Sequence, residues 1–172
     1  MRKIRYAVAM SLDGYIAGPN GEADWIVMDP EVNFGELWAQ FDTLLMGRRT
    51  YEAAVARLGE TAMQGMKTVV VSRTLRPSDH PNITVLSELN RDQMQALRAQ
   101  SKKDIWLFGG GELFRVLLEM RQVDTVEVSI IPVLLGGGVS LLPPPAQQAK
   151  LKLSGHKVYR SGIVALVYEV QK

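Results

Sequence analysis

The sequence contains no cysteine, and this absence removes several kinds of chemistry from consideration. Without a thiol there can be no thiolate nucleophile, no iron–sulfur cluster and no disulfide framework. A zinc site would have to use carboxylates with His80 and His156, which are isolated in the sequence. We therefore expect no metal site, and the lack of cysteine is compatible with a reducing compartment.

Long apolar runs and an excess of one charge are also missing. The apolar stretch at residues 6–10 is interrupted by Ser11 and Asp13, and no run approaches the roughly 18 residues of a membrane span. The 20 basic and 18 acidic residues give a formal net charge of +2, which is too small for the broad basic surface that nucleic-acid binding usually needs. We expect a cytoplasmic protein with neither nucleic-acid nor membrane partners, in which any anion site is local.

The composition that is present is that of one folded domain. The chain has 172 residues, of which 47% are hydrophobic and 22% charged, so it can bury a core of its own. No repeat or linker divides it, and we predict a single domain over residues 1–172. Short β-rich runs alternate with stretches of helical periodicity, which predicts an α/β fold with a mixed, mostly parallel sheet of about eight strands flanked by helices.

The boundaries of the elements follow from apolar spacing and from residues that favour turns. Strands are predicted at residues 4–10, 43–46, 68–71, 83–85, 105–108, 125–131, 151–159 and 163–170. Helices are predicted at residues 31–41, 50–57, 92–100 and 112–119. No helix long enough for a crossover separates the last three β-like runs, so we expect the C-terminal strands to form an antiparallel hairpin.

The most informative segment is an apolar strand that runs into Gly109, Gly110 and Gly111 and then into a helix. Glycine lets the backbone approach a ligand closely, and the free N–H groups of a first helical turn favour an anion. The segment matches neither the spaced glycines of a dinucleotide fingerprint nor a P-loop, which needs a Lys-Ser or Lys-Thr pair. By itself it is compatible with a phosphate cradle or with a tight strand-to-helix turn.

Two further strand ends carry guanidinium and hydroxyl groups that suit phosphate. At the first of them, two arginines stand at a predicted helix start, where positive charge opposes the helix dipole and so favours an anionic ligand. All three segments follow predicted strands, at the edge where open α/β sheets bind nucleotides. The residues of the two further segments are Gly47, Arg48, Arg49, Thr50, Ser72 and Arg73.

Four motifs together resemble the dihydrofolate reductase-like superfamily, and in particular the branch that includes the reductase domain of riboflavin biosynthesis. They are AMSLDGYIA at 9–17, MGRRTYE at 46–52, FGGGEL at 108–113 and IPVLLGGG at 131–138. Each is weak alone, but the four in this order cover nearly the whole chain. The resemblance implies an eight-stranded sheet flanked by helices, with NADPH stretched across its edge.

The resemblance also implies roles for individual residues. Ala9 and Ile16 would line the nicotinamide, and residues 17–25 would form the mobile loop that closes over it, after a structural turn at Asp13. Ser72 and Arg73 would meet the 2′-phosphate, and the nearby arginines are a separate reason to expect NADPH over NADH. The pyrophosphate and adenosine side would be held by Gly47, Arg48, Arg49 and Thr50, and by backbone N–H groups of Gly109, Gly110, Gly111, Glu112 and Leu113.

The substrate half departs from dihydrofolate reductase. In that enzyme a carboxylate follows a tryptophan by five residues, and counting from Trp25 gives Pro30. The neighbours Asp29 and Glu31 are the candidate catalytic carboxylates, or ordinary residues of a helix start. The segment 25–41 contains no Lys or Arg to meet a ribose phosphate, so we expect Trp25 and Phe34 to line an apolar substrate pocket.

These observations support an NADPH-dependent reductase that transfers a hydride to a small heterocyclic or carbonyl substrate other than dihydrofolate. The alternative is a nucleotide-binding module or subunit that retains the cradle without turnover. In a third interpretation the glycine turns only shape the fold. The apolar segment 126–142 could form a strand-mediated homodimer surface, as in relatives, or it could belong to the core.

Overall fold

The computed structural model describes residues 2–59, 63 and 65–171, which form ten strands and four α-helices. The strands are β1 (Ile4–Ser11), β2 (Tyr15–Ala17), β3 (Phe41–Gly47), β4 (Lys67–Val71), β5 (Thr84–Leu86), β6 (Asp104–Gly109), β7 (Thr125–Ile131), β8 (Val139–Ser140), β9 (Leu151–Val158) and β10 (Val164–Val170). The helices are α1 (Phe34–Trp38), α2 (Arg48–Leu58), α3 (Arg91–Gln100) and α4 (Gly111–Glu119), and Pro77–Asp79 forms a single 3-10 turn.

Eight strands form one sheet in the order β5-β4-β3-β6-β1-β7-β10-β9, and β2 pairs with β8 in a second, two-stranded sheet. The five pairings among β5, β4, β3, β6, β1 and β7 are parallel. β10 is antiparallel to both β7 and β9. The predicted α/β class, the mostly parallel sheet and the antiparallel C-terminal hairpin are therefore confirmed.

Helices cover both faces of the sheet, and each face has its own apolar core. On one face α3 and α4 pack against the central strands, where Ile4, Tyr6 and Leu107 are fully buried. The rings of Tyr6 and Phe114 stack there with centroids 3.9 Å apart. On the other face α2 packs against β3, and Trp106 of β6 completes that second cluster. The sheet edge with the glycine motifs is thus held on a rigid support.

The helix predicted at 31–41 was too long. The structure has only Phe34–Trp38 in α1, capped by Asn33, whose side chain accepts the N–H of Glu36 at 3.1 Å. Phe41 begins β3 instead and is 3% exposed beside Trp106, with ring centroids 4.9 Å apart. Core packing on the sheet therefore outweighs the helical spacing of the aromatic residues. The strands β2 and β8 were not predicted, because they are too short to show the alternation of apolar and polar residues that marks a strand.

The C-terminal hairpin forms one edge of the sheet. Most side chains of β9 are exposed, and among them Leu151 and Leu153 are apolar. β7 lies between β1 and β10, so the first part of the segment considered for a dimer surface belongs to the sheet interior. In the part of the chain that the structure describes, every helix falls short of the length and apolarity needed to span a membrane.

Candidate functional site

The three segments that the sequence singled out meet at neighbouring strand ends. β3 lies between β4 and β6, and the register places Gly47 beside Val71 and Met46 beside Gly109. Ser72 follows Val71 directly. Because these strands are parallel, their carboxyl ends share one edge of the sheet. The glycine loop, the two-arginine segment and the Ser-Arg segment are therefore neighbours in space.

Two helices begin at this edge without a side-chain cap. The N-cap residues of α2 and α4 are Gly47 and Gly110, whereas Asn33 caps α1 and Asn90 caps α3 through side-chain oxygens. The two helix starts are close, since a Cβ added to Gly110 would lie 3.3 Å from Thr50 Oγ1. Uncapped first turns leave backbone N–H groups free to bind an anion, which the helix dipoles also favour.

The backbone around the three glycines excludes side chains. Gly109 has φ +138° and is joined to Gly110 by a cis peptide bond. A Cβ on Gly111 would lie 2.6 Å from the carbonyl oxygen of Ser140, so only glycine fits. The side chain of Leu113 is buried in the first core, so only its backbone N–H group can take part in binding at this edge. Glu112 is exposed and pairs with Arg115 at 2.9 Å.

The arginines at this edge differ in how far they are already engaged. Arg48 binds Glu52 one turn along α2, with Arg48 Nη1 and Glu52 Oε1 2.9 Å apart. Arg49 and Arg73 are exposed, and neither has a hydrogen bond or ion pair with any residue that the structure describes. The Ser72 hydroxyl accepts backbone N–H groups two and three residues later, at 3.1 and 3.0 Å. It shapes the turn that presents Arg73.

The proposed mobile loop begins at β2, which carries Ile16, half-buried like Ala9 of β1. No helix or strand occurs between β2 and α1. Within this loop, the Trp25 indole N–H donates to the carbonyl of Glu22 at 3.0 Å. Phe34 is 37% exposed at the start of α1 and lies outside both core clusters. Trp25 and Phe34 therefore remain accessible to a ligand.

The candidate carboxylates contact the tip of the C-terminal hairpin. Asp29 is 5% exposed and accepts hydrogen bonds from the Ser161 side chain and from the Glu31 N–H, at 2.7 Å for the latter. These bonds, with the Ser161 hydroxyl contributing most, lower the pKa of Asp29. Glu31 lies 3.5 Å from Arg160. Because an acid catalyst near neutral pH needs a raised pKa, these contacts favour a structural role for Asp29.

A row of small side chains crosses the sheet next to the loop. The register pairs Ala9 with Ser129, Ser129 with Ala165, and Ala165 with Lys157. Strand alternation puts this row on the face of Ala7, which packs against the second core. The Ser129 hydroxyl is half-buried and makes no hydrogen bond to the described residues. The row ends at a cation, Lys157 of β9.

Sequence reasoning missed the cations near this row and near the candidate carboxylates because it searched only the segment 25–41. Lys157 interacts electrostatically with Asp29, and Arg160 pairs with Glu31. Both cations come from the C-terminal hairpin, more than a hundred residues away in the sequence. No local motif marks them: the pairing register of β9 with β10 places Lys157 beside Ala165, and Arg160 lies in the turn that joins the two strands.

Comparison with known proteins agrees with this geometry. The family model described as RibD C-terminal domain matches residues 2–165. YyaP of Bacillus subtilis (strain 168) is 33% identical over 182 residues, covering 97% of this chain and 94% of YyaP. A Shewanella sp. PV-4 protein whose name refers to riboflavin biosynthesis has a solved structure with a TM-score of 0.84 and 23% identity, covering 100% of both chains.

The fold also matches the dihydrofolate reductase of Enterococcus faecalis, solved in complex with NADP(H) and RAB-propyl. The TM-score is 0.70 at 15% identity, over 99% of this chain and 97% of that one. Family and fold together support a reductase-type function. The chain belongs to the RibD C-terminal domain family and has the dihydrofolate reductase-like fold.

Proposed function

We propose that this chain is an NADPH-dependent reductase. One observation carries the proposal. The uncapped starts of α2 and α4 lie side by side at the ends of β3 and β6, and Arg73, after the end of the neighbouring strand β4, has no partner among the described residues. This arrangement offers main-chain donors for a pyrophosphate and a free guanidinium for a further phosphate. The Enterococcus faecalis neighbour, solved with NADP(H), supports the choice of cofactor.

The residues present fit such a cofactor. The first-turn N–H groups of α2 and α4 would bind the pyrophosphate, and glycines leave room for it. Arg73, with Arg48, would bind the 2′-phosphate that distinguishes NADPH from NADH. Ala9 and Ile16 would border the nicotinamide, which supplies the hydride when bound. The contribution of the protein is to orient the ring and to exclude water while the loop is closed.

The substrate would lie on the row of small side chains. Ala9, Ser129 and Ala165 provide a flat floor, which suits a planar heterocycle or a carbonyl compound, and Trp25 and Phe34 provide apolar walls. The Ser129 hydroxyl would hydrogen-bond an edge of the substrate. Because the pKa of Asp29 is lowered, we propose that solvent supplies the proton that accompanies the hydride.

Two measurements test the proposed function. NADPH titration followed by tryptophan fluorescence should show saturable binding. At an NADPH concentration of about 100 times the Kd, the free energy of unfolding should rise by about 2.7 kcal/mol, and thermal unfolding should occur at a higher temperature. NADPH absorbance is then followed with a panel of pterins, pyrimidines, quinones and ketones. Oxidation of NADPH by at least one class supports a reductase. Binding without oxidation would indicate a nucleotide-binding module, and no binding would refute the proposal.

We also propose that the protein forms a homodimer through the exposed apolar side chains of β9. Leu151, Leu153 and Val158 are 43%, 49% and 67% exposed, and an antiparallel sheet normally has one face covered by other groups. The lysines of the same strand disfavour pairing at its edge. The contact would therefore pack the apolar face of one hairpin against that of a second copy.

A further inference from the structure

We propose that Asp13 is a positioning residue that holds the stem of the mobile loop against the cofactor cradle. This inference rests on the proposed function, because the loop and the cradle matter together only if a nicotinamide cofactor binds between them. Asp13 lies in the turn between β1 and β2 and is exposed. Its carboxylate nevertheless makes contacts over a sequence distance of more than one hundred residues.

The Asp13 carboxylate accepts three hydrogen bonds. The buried Ser11 hydroxyl donates to Asp13 Oδ1 at 2.6 Å, and the N–H of Leu135 donates to the same oxygen at 3.1 Å. The N–H of Gly136 donates to Asp13 Oδ2 at 2.7 Å. Ser11 Oγ in turn accepts the N–H of Tyr15 at 2.9 Å. The carboxylate thus joins the first turn of the chain to the loop after β7.

That loop leads directly into β8, which pairs with the stem of the mobile loop. Tyr15 pairs with Ser140 and Ala17 with Val139. The contact is close, since a Cβ on Gly138 would lie 2.2 Å from the carbonyl oxygen of Ala17. β2 also carries Ile16, the residue expected at the nicotinamide. The position of β8 therefore sets the position of Ile16.

The other side of β8 borders the cofactor cradle. A Cβ on Gly111, the first residue of α4, would lie 2.6 Å from the Ser140 carbonyl oxygen, 3.2 Å from that of Leu141 and 2.9 Å from Pro143 Cδ. The two-residue strand β8 thus touches the stem of the loop and the helix start that would bind the pyrophosphate. Backbone bonds also tie this region to β1 and its turn, from the Leu12 N–H to the Val133 carbonyl at 2.9 Å and from the Leu141 N–H to the Gly14 carbonyl at 3.0 Å. Asp13 anchors the segment that precedes β8.

The chemistry of the anchor calls for a carboxylate. All three partners of Asp13 are donors, and an ionised carboxylate accepts with both oxygens and has no hydrogen of its own to oppose a donor. The hydrogen bond from Ser11, followed by those from Gly136 and Leu135, lowers the pKa of Asp13. An asparagine would keep one accepting oxygen and would place its amide N–H₂ against a backbone N–H. An alanine would remove all three bonds.

Asp13→Ala and Asp13→Asn test the proposal, with Asp79→Asn as the matched control. Asp79 is also exposed and also accepts a hydroxyl, from Ser78 at 2.9 Å, but it has no long-range side-chain bond to the described residues. Two properties are measured in each variant. The first is hydrogen exchange of the peptides that cover residues 12–18 and 138–142, and the second is the NADPH dissociation rate after mixing with excess NADP⁺.

In Asp13→Ala we expect amide exchange in both peptides to become about tenfold faster, because three hydrogen bonds of a locally opening unit are lost. We expect NADPH to dissociate about tenfold faster, because a lid that is poorly placed protects the cofactor less. Asp13→Asn should give intermediate values, and Asp79→Asn should resemble the wild type. Exchange in peptides of β3 should be unchanged in all of them.

Unchanged exchange in both peptides of Asp13→Ala would overturn the proposal. Faster exchange that also spreads to β3 would overturn it too, because it would show a general loss of stability. Faster local exchange with an unchanged NADPH dissociation rate would refute the link to the cofactor. If the wild type does not bind NADPH, the proposed function fails by itself, and with it the role of Asp13 towards the cofactor. The exchange measurement would then report only whether Asp13 anchors β8.

Discussion

Replacing Arg73 with glutamine should weaken the binding of NADPH and leave the binding of NADH almost unaffected. Arg73 is exposed, follows the end of β4 and has no partner among the described residues, so it would bind the 2′-phosphate without first giving up another contact. A hydrogen bond to a charged group contributes about 1.5–3 kcal/mol. Because the side chain is exposed to solvent, the lower end applies, and we expect the NADPH Kd to rise about tenfold.

Arg48 provides an internal comparison. To bind a phosphate, Arg48 must first break its ion pair with Glu52. An exposed ion pair at this helical spacing contributes about 0.3–0.5 kcal/mol to stability. Arg48→Gln should therefore weaken NADPH less than Arg73→Gln does. Glu52→Gln should raise the affinity for NADPH by about twofold, because it frees Arg48 and removes a nearby negative charge.

The assay is the quenching of tryptophan fluorescence by NADPH and by NADH at two salt concentrations. Arg121→Gln is the charge-matched control, since Arg121 follows the far end of α4. The selectivity for NADPH should fall with salt in the wild type and depend less on salt in Arg73→Gln. An equal loss of affinity for both cofactors would contradict the assignment of the 2′-phosphate site to Arg73.

Three further predictions follow from the structure. Gly111→Ala should lower the free energy of unfolding by about 1–3 kcal/mol, because the added Cβ would overlap the Ser140 carbonyl. The same substitution should weaken the binding of NADPH. An unchanged urea unfolding curve would contradict the close packing at Gly111. The pKa values of Asp13 and Asp29 are lower in the folded protein, so their stabilising contribution is complete above the unfolded value of about 3.9 and is lost as the pH falls through the lowered values. The midpoint of thermal unfolding should accordingly decrease below about pH 4, and less so in Asp13→Asn; identical profiles would refute the contribution of Asp13. Leu153→Lys should convert the proposed dimer into monomers in light scattering, and a monomeric wild type at the same concentration would refute the dimer.

The main sheet could be predicted because its signals are local. The run at 125–131 is rich in β-branched residues and becomes β7 with the same boundaries. The edge with the proposed cofactor site was also predictable as a set of strand ends, since its glycines and arginines lie within two residues of a strand end and parallel strands bring their carboxyl ends together. The helix at the substrate side was not, because the spacing of Phe34 and Phe41 agreed with a helix that the core does not allow.

The short strands and the substrate side depended on contacts that no segment carries alone. β2 and β8 have three and two residues, too few for periodicity, and they pair where Asp13 accepts the Gly136 N–H and the Gly138 backbone lies close to Ala17. Lys157 lies beside Ala165 because of strand register, which a sequence does not display.

The amino-acid sequence by itself determined the α/β class, the strand-to-helix turns with their glycines, and the basic groups that follow them, because propensity, turn chemistry and periodicity act over a few residues. Tertiary structure alone decided which strand ends are neighbours, which helix starts lie together, and which carboxylates are occupied by the hairpin. These properties arise from pairing register and from long-range hydrogen bonds, whose energies depend on residues that are far apart in the chain.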